Sequence, residues 1–243
     1  MKKYKYLIAM KFVILCGLPS TASAFTEVSN GSIGDLLISG TFVKSDPTWQ
    51  WQIPSGASSL ASLTANSLDG VYNTTTNQTT YNLLSSDVEF LQGHMISASR
   101  TGGTGLTPSI TFGGMSLNED NSETLTAPTQ TPSSGAQVVI GFNKDVGVVR
   151  TISGNSFATG NSARAYPLWQ ELITDTTPWS TIGTSANTTS LPISDLFTQL
   201  ADSTASNVQA SYGLSATSVQ LVANAGTDVS TWSVPLSIVI QVN

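Results

Sequence analysis

The chain of 243 residues is acidic, with a formal net charge of −6, and only 10% of it is Asp, Glu, Lys or Arg. An average globular domain has roughly 25% charged residues, so the composition excludes a charge-rich disordered chain and disfavours a helical bundle with Lys and Glu on its exposed faces. Ser, Thr and Asn fill the polar positions, which is typical of strands and turns and predicts an exported β protein.

Residues 1–24 have the pattern of a cleaved signal peptide. Lysines open the chain, an apolar run follows at 12–18, and small residues at 22–24 form a cleavage site, so the mature chain is expected to begin at Phe25. The apolar run is well short of the roughly 20 residues that span a bilayer, which disfavours a transmembrane anchor. Cleavage removes Cys16, the only cysteine, and four of the nine basic residues, which leaves five basic against fifteen acidic residues and a net charge of −10. Nucleic acid is therefore disfavoured as a partner, because phosphate binding needs clustered Lys and Arg.

The segment after the leader, residues 25–43, is punctuated by glycine and has no helical pattern. Its small and aliphatic residues alternate at period two, at Gly34, Leu36, Ile38, Gly40 and Phe42. This alternation predicts a strand over 34–42. Small residues between aliphatic ones suit a strand that enters a groove lined by bulky side chains. An ordinary first strand of the domain is the alternative, and these residues alone leave both open.

Further strands are predicted where apolar and polar residues alternate, at 49–53, 88–92, 109–112, 137–142, 147–152, 219–223 and 232–242. Between them lie stretches rich in Gly, Pro, Ser and Thr, such as 100–108 and 127–135, which are typical of turns. Short strands with such spacers predict a β-sandwich.

One region, residues 158–211, breaks the strand pattern. Residues 167–173 and 193–203 have helical spacing, and in the second stretch the apolar residues Ile193, Leu196, Phe197 and Leu200 fall on one face. A simple immunoglobulin-like domain needs about 100 residues, and the mature chain has about twice that length. The region is therefore predicted to be a small helical insertion between strands.

The chain closes on a long apolar strand. Its apolar residues, except Val239, share one face at period two, at Trp232, Val234, Leu236, Ile238, Ile240 and Val242. Pro235 cannot donate to a strand ladder, which predicts an edge strand at that point. A long apolar edge strand promotes aggregation unless another strand pairs with it.

Motifs at both ends carry a resemblance. Near the mature N-terminus Asn30-Gly31-Ser32, Ile38-Ser39-Gly40-Thr41 and Trp49-Gln50-Trp51-Gln52-Ile53 follow one another, and Trp232-Ser233-Val234-Pro235-Leu236-Ser237-Ile238-Val239-Ile240 stands near the end. These motifs resemble the Asn-Gly-Ser, Ile-Gly-Gly-Ser and Trp-x-Trp-x-Val segments and the Trp-Ser-Ala-Pro-Leu ending of FaeG-type fimbrial subunits, the K-eighty-eight-antigen class. The middle of the chain does not align by eye. In that class an aromatic residue near the C-terminus is usual, whereas this chain has Val242.

The resemblance implies an all-β fold, an incomplete immunoglobulin-like β-sandwich that is completed by donor-strand exchange. A periplasmic chaperone would fill the open groove first, and the N-terminal extension of a neighbouring fimbrial subunit would replace it at the outer-membrane usher, by β-augmentation. Residues 25–43 would then be the donor-strand extension, with Gly34, Leu36, Ile38, Gly40 and Phe42 as donor residues. Residues 44–243 would be the pilin domain, with the apolar face of 232–242 as the groove edge that pairs with the chaperone. The subunit would pass through the periplasm to a fimbrium on the cell surface.

Few residues suggest catalysis, and no enzyme activity, cofactor or metal is predicted. His94 is the only histidine. A Ser–His–Asp triad would need it, and a strand-end or surface histidine is the simpler interpretation. The acidic stretch 118–123 could hold calcium, but it lacks the ligand spacing and central glycine of an EF-hand, which favours a solvated loop.

Carbohydrate binding is the more plausible ligand function, because sugar faces stack on aromatic rings. In the FaeG-type family the major subunit is itself the adhesin, with its receptor site around the helical insertion. The corresponding region here contains four aromatic candidates for binding a host glycoconjugate receptor, Phe157, Tyr166, Trp169 and Trp179. Core packing is the alternative for each of them. For the whole chain, the alternative is a free-standing secreted β-sandwich that binds or hydrolyses glycans.

Overall fold

The computed structural model describes residues 49–130, 135–173 and 190–242, together with the backbone pairing of residues 26–27, 30–34 and 37–41. The strands of the described part, in chain order, are β1 (Thr26–Glu27), β2 (Asn30–Gly34), β3 (Leu37–Thr41), β4 (Trp49–Gln52), β5 (Val71–Asn73), β6 (Gln78–Asn82), β7 (Val88–Met95), β8 (Pro108–Phe112), β9 (Met115–Ser116), β10 (Ser122–Pro128), β11 (Ala136–Ile152), β12 (Asn155–Gly160), β13 (Ser206–Asn224) and β14 (Ser237–Val242). The helices are α1 (Ala165–Leu172) and α2 (Ile193–Ala201), with 3-10 helices at Ser55–Ser62 and Ser67–Asp69. The predicted signal peptide, residues 1–24, lies outside the described residues.

The strands form two antiparallel sheets. The first has the order β1-β4-β7-β13-β11-β10, with β12 joined to β11 and the β5–β6 hairpin joined to β13. The second has the order β3-β2-β14-β8-β9. This architecture confirms the predicted all-β, immunoglobulin-like sandwich.

Aromatic side chains from both sheets meet in the core. Phe90 of β7, Phe112 of β8 and Phe142 of β11 have ring centroids 5.0–6.3 Å apart. Such pairs contribute about 0.5–1.5 kcal/mol each beyond their buried area. Ile238 and Ile240 of β14 are buried in the same cluster. The C-terminal strand is therefore part of the main core rather than an appendage.

Two very long strands form the centre of the first sheet. β11 has 17 residues and β13 has 19, and they pair from Ala136 and Ala223 to Thr151 and Ser206. The sequence instead predicts two strands, 137–142 and 147–152, with the polar residues 143–145 in the interval between them, so that prediction is wrong. The strand continues because Lys144 and Asp145 are buried and hydrogen-bonded in place.

The N-terminal segment forms a hairpin in place of the single strand predicted over 34–42. β2 pairs with β3, with Gly34 opposite Leu37 and Asn30 opposite Thr41. β14, the strand that β2 pairs with, is only six residues long. The five residues of β2 cover its edge, and β3 then pairs along the other side of β2. Leu36 and Phe42 lie outside the described residues.

The C-terminal segment has the two faces that its sequence predicts, but its regular strand is shorter than the predicted strand over 232–242. Regular strand structure begins only at Ser237. Before it, Trp232, Val234 and Leu236 are half-buried, whereas Ser233 and Pro235 are exposed. The alternation across 232–242 is thus confirmed, and Pro235 marks the part that lacks a regular ladder.

Both α-helices of the described residues lie between the end of β12 and the start of β13, within the predicted insertion 158–211. α2 buries Ile193, Leu196 and Leu200, the face that its spacing predicts. α1 covers a second, smaller apolar cluster against Val149 and Ala158. In the described residues, no helix has the length and apolarity needed to cross a membrane.

Candidate functional site

An open apolar cavity of about 510 Å³ lies between the first 3-10 helix, the core strands and the approach to β14. All of its lining residues except two serines are apolar. They are Ile53, Pro54, Ser55, Ala57, Ser58, Leu60, Ala61, Leu63, Phe90, Phe112, Val138, Ile140, Ala216, Val219, Trp232, Val234 and Leu236. This cavity is called the groove below.

The groove leaves apolar side chains of the core partly exposed to solvent. No residue of the 3-10 helix at Ser55–Ser62 is buried, although Ala57 and Leu60 pack against the core. On the opposite side, Trp232, Val234 and Leu236 are also only half-buried. Because covering apolar surface stabilises a protein by about 25 cal/mol per Å², an additional strand seated here would be stabilising.

The groove runs on into the edge of β14. On one side β14 pairs with β8, with Ile238 opposite Phe112. On its other side it pairs antiparallel with β2, with Asn30 opposite Gln241 and Gly34 opposite Ser237. In the described residues, the second edge of the C-terminal strand is therefore covered by the N-terminal segment of the same chain.

The register of this pairing differs from the predicted donor series. The buried Ile238 and Ile240 lie opposite Ile33 and Gly31, whereas Gly34 lies opposite the exposed Ser237. Ile38 and Gly40 belong to β3, which pairs with β2 rather than with β14. Leu36 and Phe42 are outside the described residues. The donor role of these residues stays a prediction.

The predicted groove-edge residues divide into two groups. Ile238 and Ile240 are buried in the core, and Val242 at the end of β14 is half-buried. Trp232, Val234 and Leu236 line the groove.

A buried lysine that sequence reasoning missed connects the acidic loop to β11. The side chain of Lys144 is fully buried, and its Nζ forms an ion pair with Glu123 and donates to the backbone oxygen of Asn118 at 2.8 Å. Glu123 also accepts from the backbone N–H of Asn118 at 2.9 Å. This carboxylate therefore neutralises a lysine instead of lying in a solvated loop. The sequence contained a signal for this burial. In a strand, Lys144 lies on the same face as Phe142 and Val146, which are buried.

Asn161 and Ser162 fasten the start of the insertion to β11. The side chain of Asn161 accepts from the backbone N–H of Val146 at 2.7 Å and donates to the backbone oxygen of Lys144 at 2.7 Å. Ser162 Oγ donates to Asp145 Oδ1 at 2.5 Å. Burial raises the pKa of Asp145, and this hydrogen bond opposes the rise. The helical insertion is thus anchored by polar contacts at its first residues.

Arg164 joins α1 to the first sheet. Its Nη2 donates to Glu89 Oε2 of β7 at 2.9 Å, and its Nη1 donates to Glu171 Oε1 of α1 at 2.6 Å. Burial raises the pKa of Glu89, and Arg164 counteracts the rise. Glu171 is about half-exposed, so its part of the pair contributes little to stability.

The four candidate aromatics have different environments. Phe157 on β12 is 43% exposed, and Tyr166 on α1 is half-buried and accepts from Gln170 Nε2 at 2.9 Å. Trp169 is fully buried in the second apolar cluster, so its assignment as a glycan contact is wrong and it is a core residue. Trp179 lies outside the described residues.

His94 is the penultimate residue of β7 and is buried opposite Ser211. The strand-end interpretation is confirmed and the surface interpretation is wrong. Its Nδ1 lies 3.2 Å from the backbone oxygen of Met95, and burial lowers the pKa of the ring. In the ranges that the structure describes, no three His, Cys, Asp or Glu side chains are grouped closely enough to hold a metal ion.

The sandwich agrees with a comparison against known families. A model of the K-eighty-eight fimbrial type, described as "Fimbrial, major and minor subunit", matches residues 1–243, which is the whole chain. No curated protein matches the chain. The family match extends the resemblance of the two ends through the middle, including the helical insertion. It assigns the protein to a surface fimbrium, with other fimbrial subunits as neighbours. The chain belongs to the FaeG-type family of fimbrial major and minor subunits.

Proposed function

We propose that this chain is a non-catalytic fimbrial subunit that is assembled by the chaperone–usher route through donor-strand complementation. The observation that carries the proposal is the groove, which is apolar, open and continuous with the edge of the C-terminal strand. A donated strand would cover both, with main-chain hydrogen bonds along the edge and alternate side chains in the groove.

The chemistry of the N-terminal segment selects the register of such a strand. A donor that continued the β2–β14 register without folding back would place Asp35 opposite Leu236 in the apolar groove. Burying an unpaired carboxylate is strongly unfavourable. A slip of one residue exchanges the two faces of a strand and removes Asp35 from the groove.

In the slipped register small residues meet bulky ones. Gly34 would lie opposite Ile238 and Gly40 opposite Trp232, while Leu36 and Ile38 would lie opposite Leu236 and Val234. These are the residues that the sequence predicts as donors. The complementarity of size supports a register one residue away from that of β2.

A periplasmic chaperone and an outer-membrane usher complete the proposal. Before a neighbouring subunit arrives, the half-exposed apolar residues of the groove form an aggregation hazard. A chaperone strand that pairs along β14 and fills the groove would protect the subunit in the periplasm, and the usher would exchange it for the next N-terminal segment.

Thermal unfolding of the mature chain with a synthetic peptide of residues 32–42 tests this function. At a peptide concentration of 100 times Kd, binding stabilises the folded state by about 2.7 kcal/mol. The melting temperature should then rise by roughly 5–11 °C, since 1 kcal/mol corresponds to about 2–4 °C for a chain of this size. A peptide of the same composition in scrambled order is the control.

Two matched variants locate the binding site. Val234→Asp puts a carboxylate into the groove. Ser233→Asp puts the same group at the neighbouring position, whose side chain is exposed. We expect the peptide to stabilise Ser233→Asp and to lose its effect on Val234→Asp. If the peptide leaves the melting temperature unchanged both for the unsubstituted chain and for a variant without residues 25–43, the donor-strand function is refuted.

We further propose that the subunit contacts a host glycoconjugate through the outer surface of the insertion. The exposure of Phe157 on β12 is the supporting observation, because an accessible aromatic ring can stack on a sugar face. A glycan array probed with the peptide-complemented subunit and with Phe157→Ala tests this role. Binding that is absent, or that is unchanged by Phe157→Ala, would contradict it.

A further inference from the structure

We propose that the N-terminal segment also caps its own subunit, so that the monomer before assembly is self-complemented and inert. This inference rests on the proposed donor-strand function and adds a regulatory state to it. One segment serves as the cap in cis and as the donor in trans. While the cap is in place, the edge of β14 is paired and the N-terminal segment is not available to a neighbour.

The cap is the hairpin of β2 and β3. β2 occupies the edge of β14 from Ser237 to Gln241 through five paired residues. β3 pairs along the other side of β2, so the exposed edge of the second sheet becomes β3 instead of the C-terminal strand. The edge that an incoming strand needs is thus already paired.

The cap is incomplete in a way that permits exchange. Its pairing ends at Ser237, and the groove beside Trp232, Val234 and Leu236 stays open. A strand donated in trans would pair along the edge of β14 and would also extend beside Trp232, Val234 and Leu236, beyond the last β2–β14 pair at Ser237. The donated strand therefore replaces the cap with a gain in buried apolar surface.

Cysteine trapping distinguishes the cis and trans states, since the mature chain is expected to have no cysteine of its own. The cis reporter is Asn30→Cys with Gln241→Cys, a directly opposite pair in the β2–β14 ladder. Opposite Cα atoms in antiparallel strands are about 4.5–5.5 Å apart, within the disulfide range of about 4.4–6.8 Å. The control, Asn30→Cys with Ser237→Cys, is four residues out of register, which is about 13 Å along a strand.

The trans reporter is Ser39→Cys with Ser233→Cys. These residues would lie opposite each other on the outer face of a donated strand in the slipped register. In the cis hairpin Ser39 pairs with Ser32 of β2, and Ser32 pairs with Val239, six residues away from Ser233. A disulfide between them therefore requires the extended strand of another copy.

The cis reporter should give an internal disulfide in dilute, oxidised monomer, and the out-of-register control should not. The locked monomer should bind the 32–42 peptide at least tenfold more weakly than the unsubstituted chain and should recover on reduction.

The outcomes separate the two proposals. If the cis pair gives no internal disulfide and the trans pair gives an intermolecular ladder, self-capping is overturned and the donor-strand function stands. If neither pair cross-links and the peptide does not bind, both are overturned. An internal disulfide that leaves peptide binding unchanged also overturns self-capping, because the cap would not block the site.

Discussion

Replacing Glu123 with Gln removes the counter-ion of a lysine that has no access to solvent. The Lys144 side chain is 0% exposed and that of Glu123 is 8% exposed. After the substitution, Lys144 Nζ keeps the backbone oxygen of Asn118 at 2.8 Å as an acceptor but loses the only carboxylate that pairs with it in the described residues. Breaking a buried pair from one side costs about 3–5 kcal/mol, because the remaining charge is uncompensated.

The expected loss is large relative to total stability. Native domains have free energies of unfolding of about 5–15 kcal/mol. For a chain of this size the melting temperature should fall by roughly 6–20 °C, from about 2–4 °C per kcal/mol. We expect the lower half of this range, since the Gln amide oxygen can still accept from Nζ.

Urea unfolding of a double-mutant cycle is the assay. Lys144→Met alone leaves Glu123 buried without its partner, whereas the double variant Lys144→Met with Glu123→Gln leaves no buried charge. We expect the double variant to be more stable than Glu123→Gln alone. Glu171→Gln is the control, because Glu171 is 49% exposed, and it should cost at most about 1 kcal/mol. A cost of Glu123→Gln similar to that of Glu171→Gln would refute the reasoning.

Three further predictions test separate parts of the structure. Burial raises the pKa of Asp145 above its usual 3.8. The parent chain therefore loses stability as the pH rises from 3.8 through the folded-state pKa of this carboxyl. Over this pH range Asp145→Asn should gain stability relative to the parent, as measured by melting temperature against pH. Gly93→Ala would place a Cβ 2.2 Å from the buried ring of Trp51 and should cost about 1–3 kcal/mol in urea unfolding. Trp169→Ala should cost about 3–5 kcal/mol, whereas Phe157→Ala should stay within about 0.5 kcal/mol of the parent.

Each of these predictions has a clear contrary result. Parallel pH profiles for Asp145→Asn and the parent would show that this carboxyl does not titrate with folding. Gly103→Ala is the control for Gly93→Ala, since a Cβ at Gly103 meets nothing within 4 Å. Equal losses at the two glycines would contradict the close approach to Trp51. Equal melting temperatures for Trp169→Ala and Phe157→Ala would contradict their different burial.

Local patterns predicted much of the fold. The alternation over 232–242 predicted which residues face the core, because the two faces of a strand differ in polarity wherever one is buried. The spacing of Ile193, Leu196 and Leu200 predicted the buried face of α2 for the corresponding helical reason. The same patterns failed at the polar residues 143–145, which interrupt the alternation but lie within β11, since their partners come from distant parts of the chain.

The amino-acid sequence by itself determined the class of this protein, its sandwich, its helical insertion and the family resemblance of its two ends, because these depend on composition and on short-range periodicity. Only the tertiary structure decided which aromatic residues are core, that Glu123 neutralises Lys144, and that an apolar groove lies open beside Trp232. It also decided that the N-terminal segment pairs with the C-terminal strand of the same chain, and in which register. The physical reason is that the alternation of a strand fixes its faces but not its partner, and the partner here is about 200 residues away along the chain.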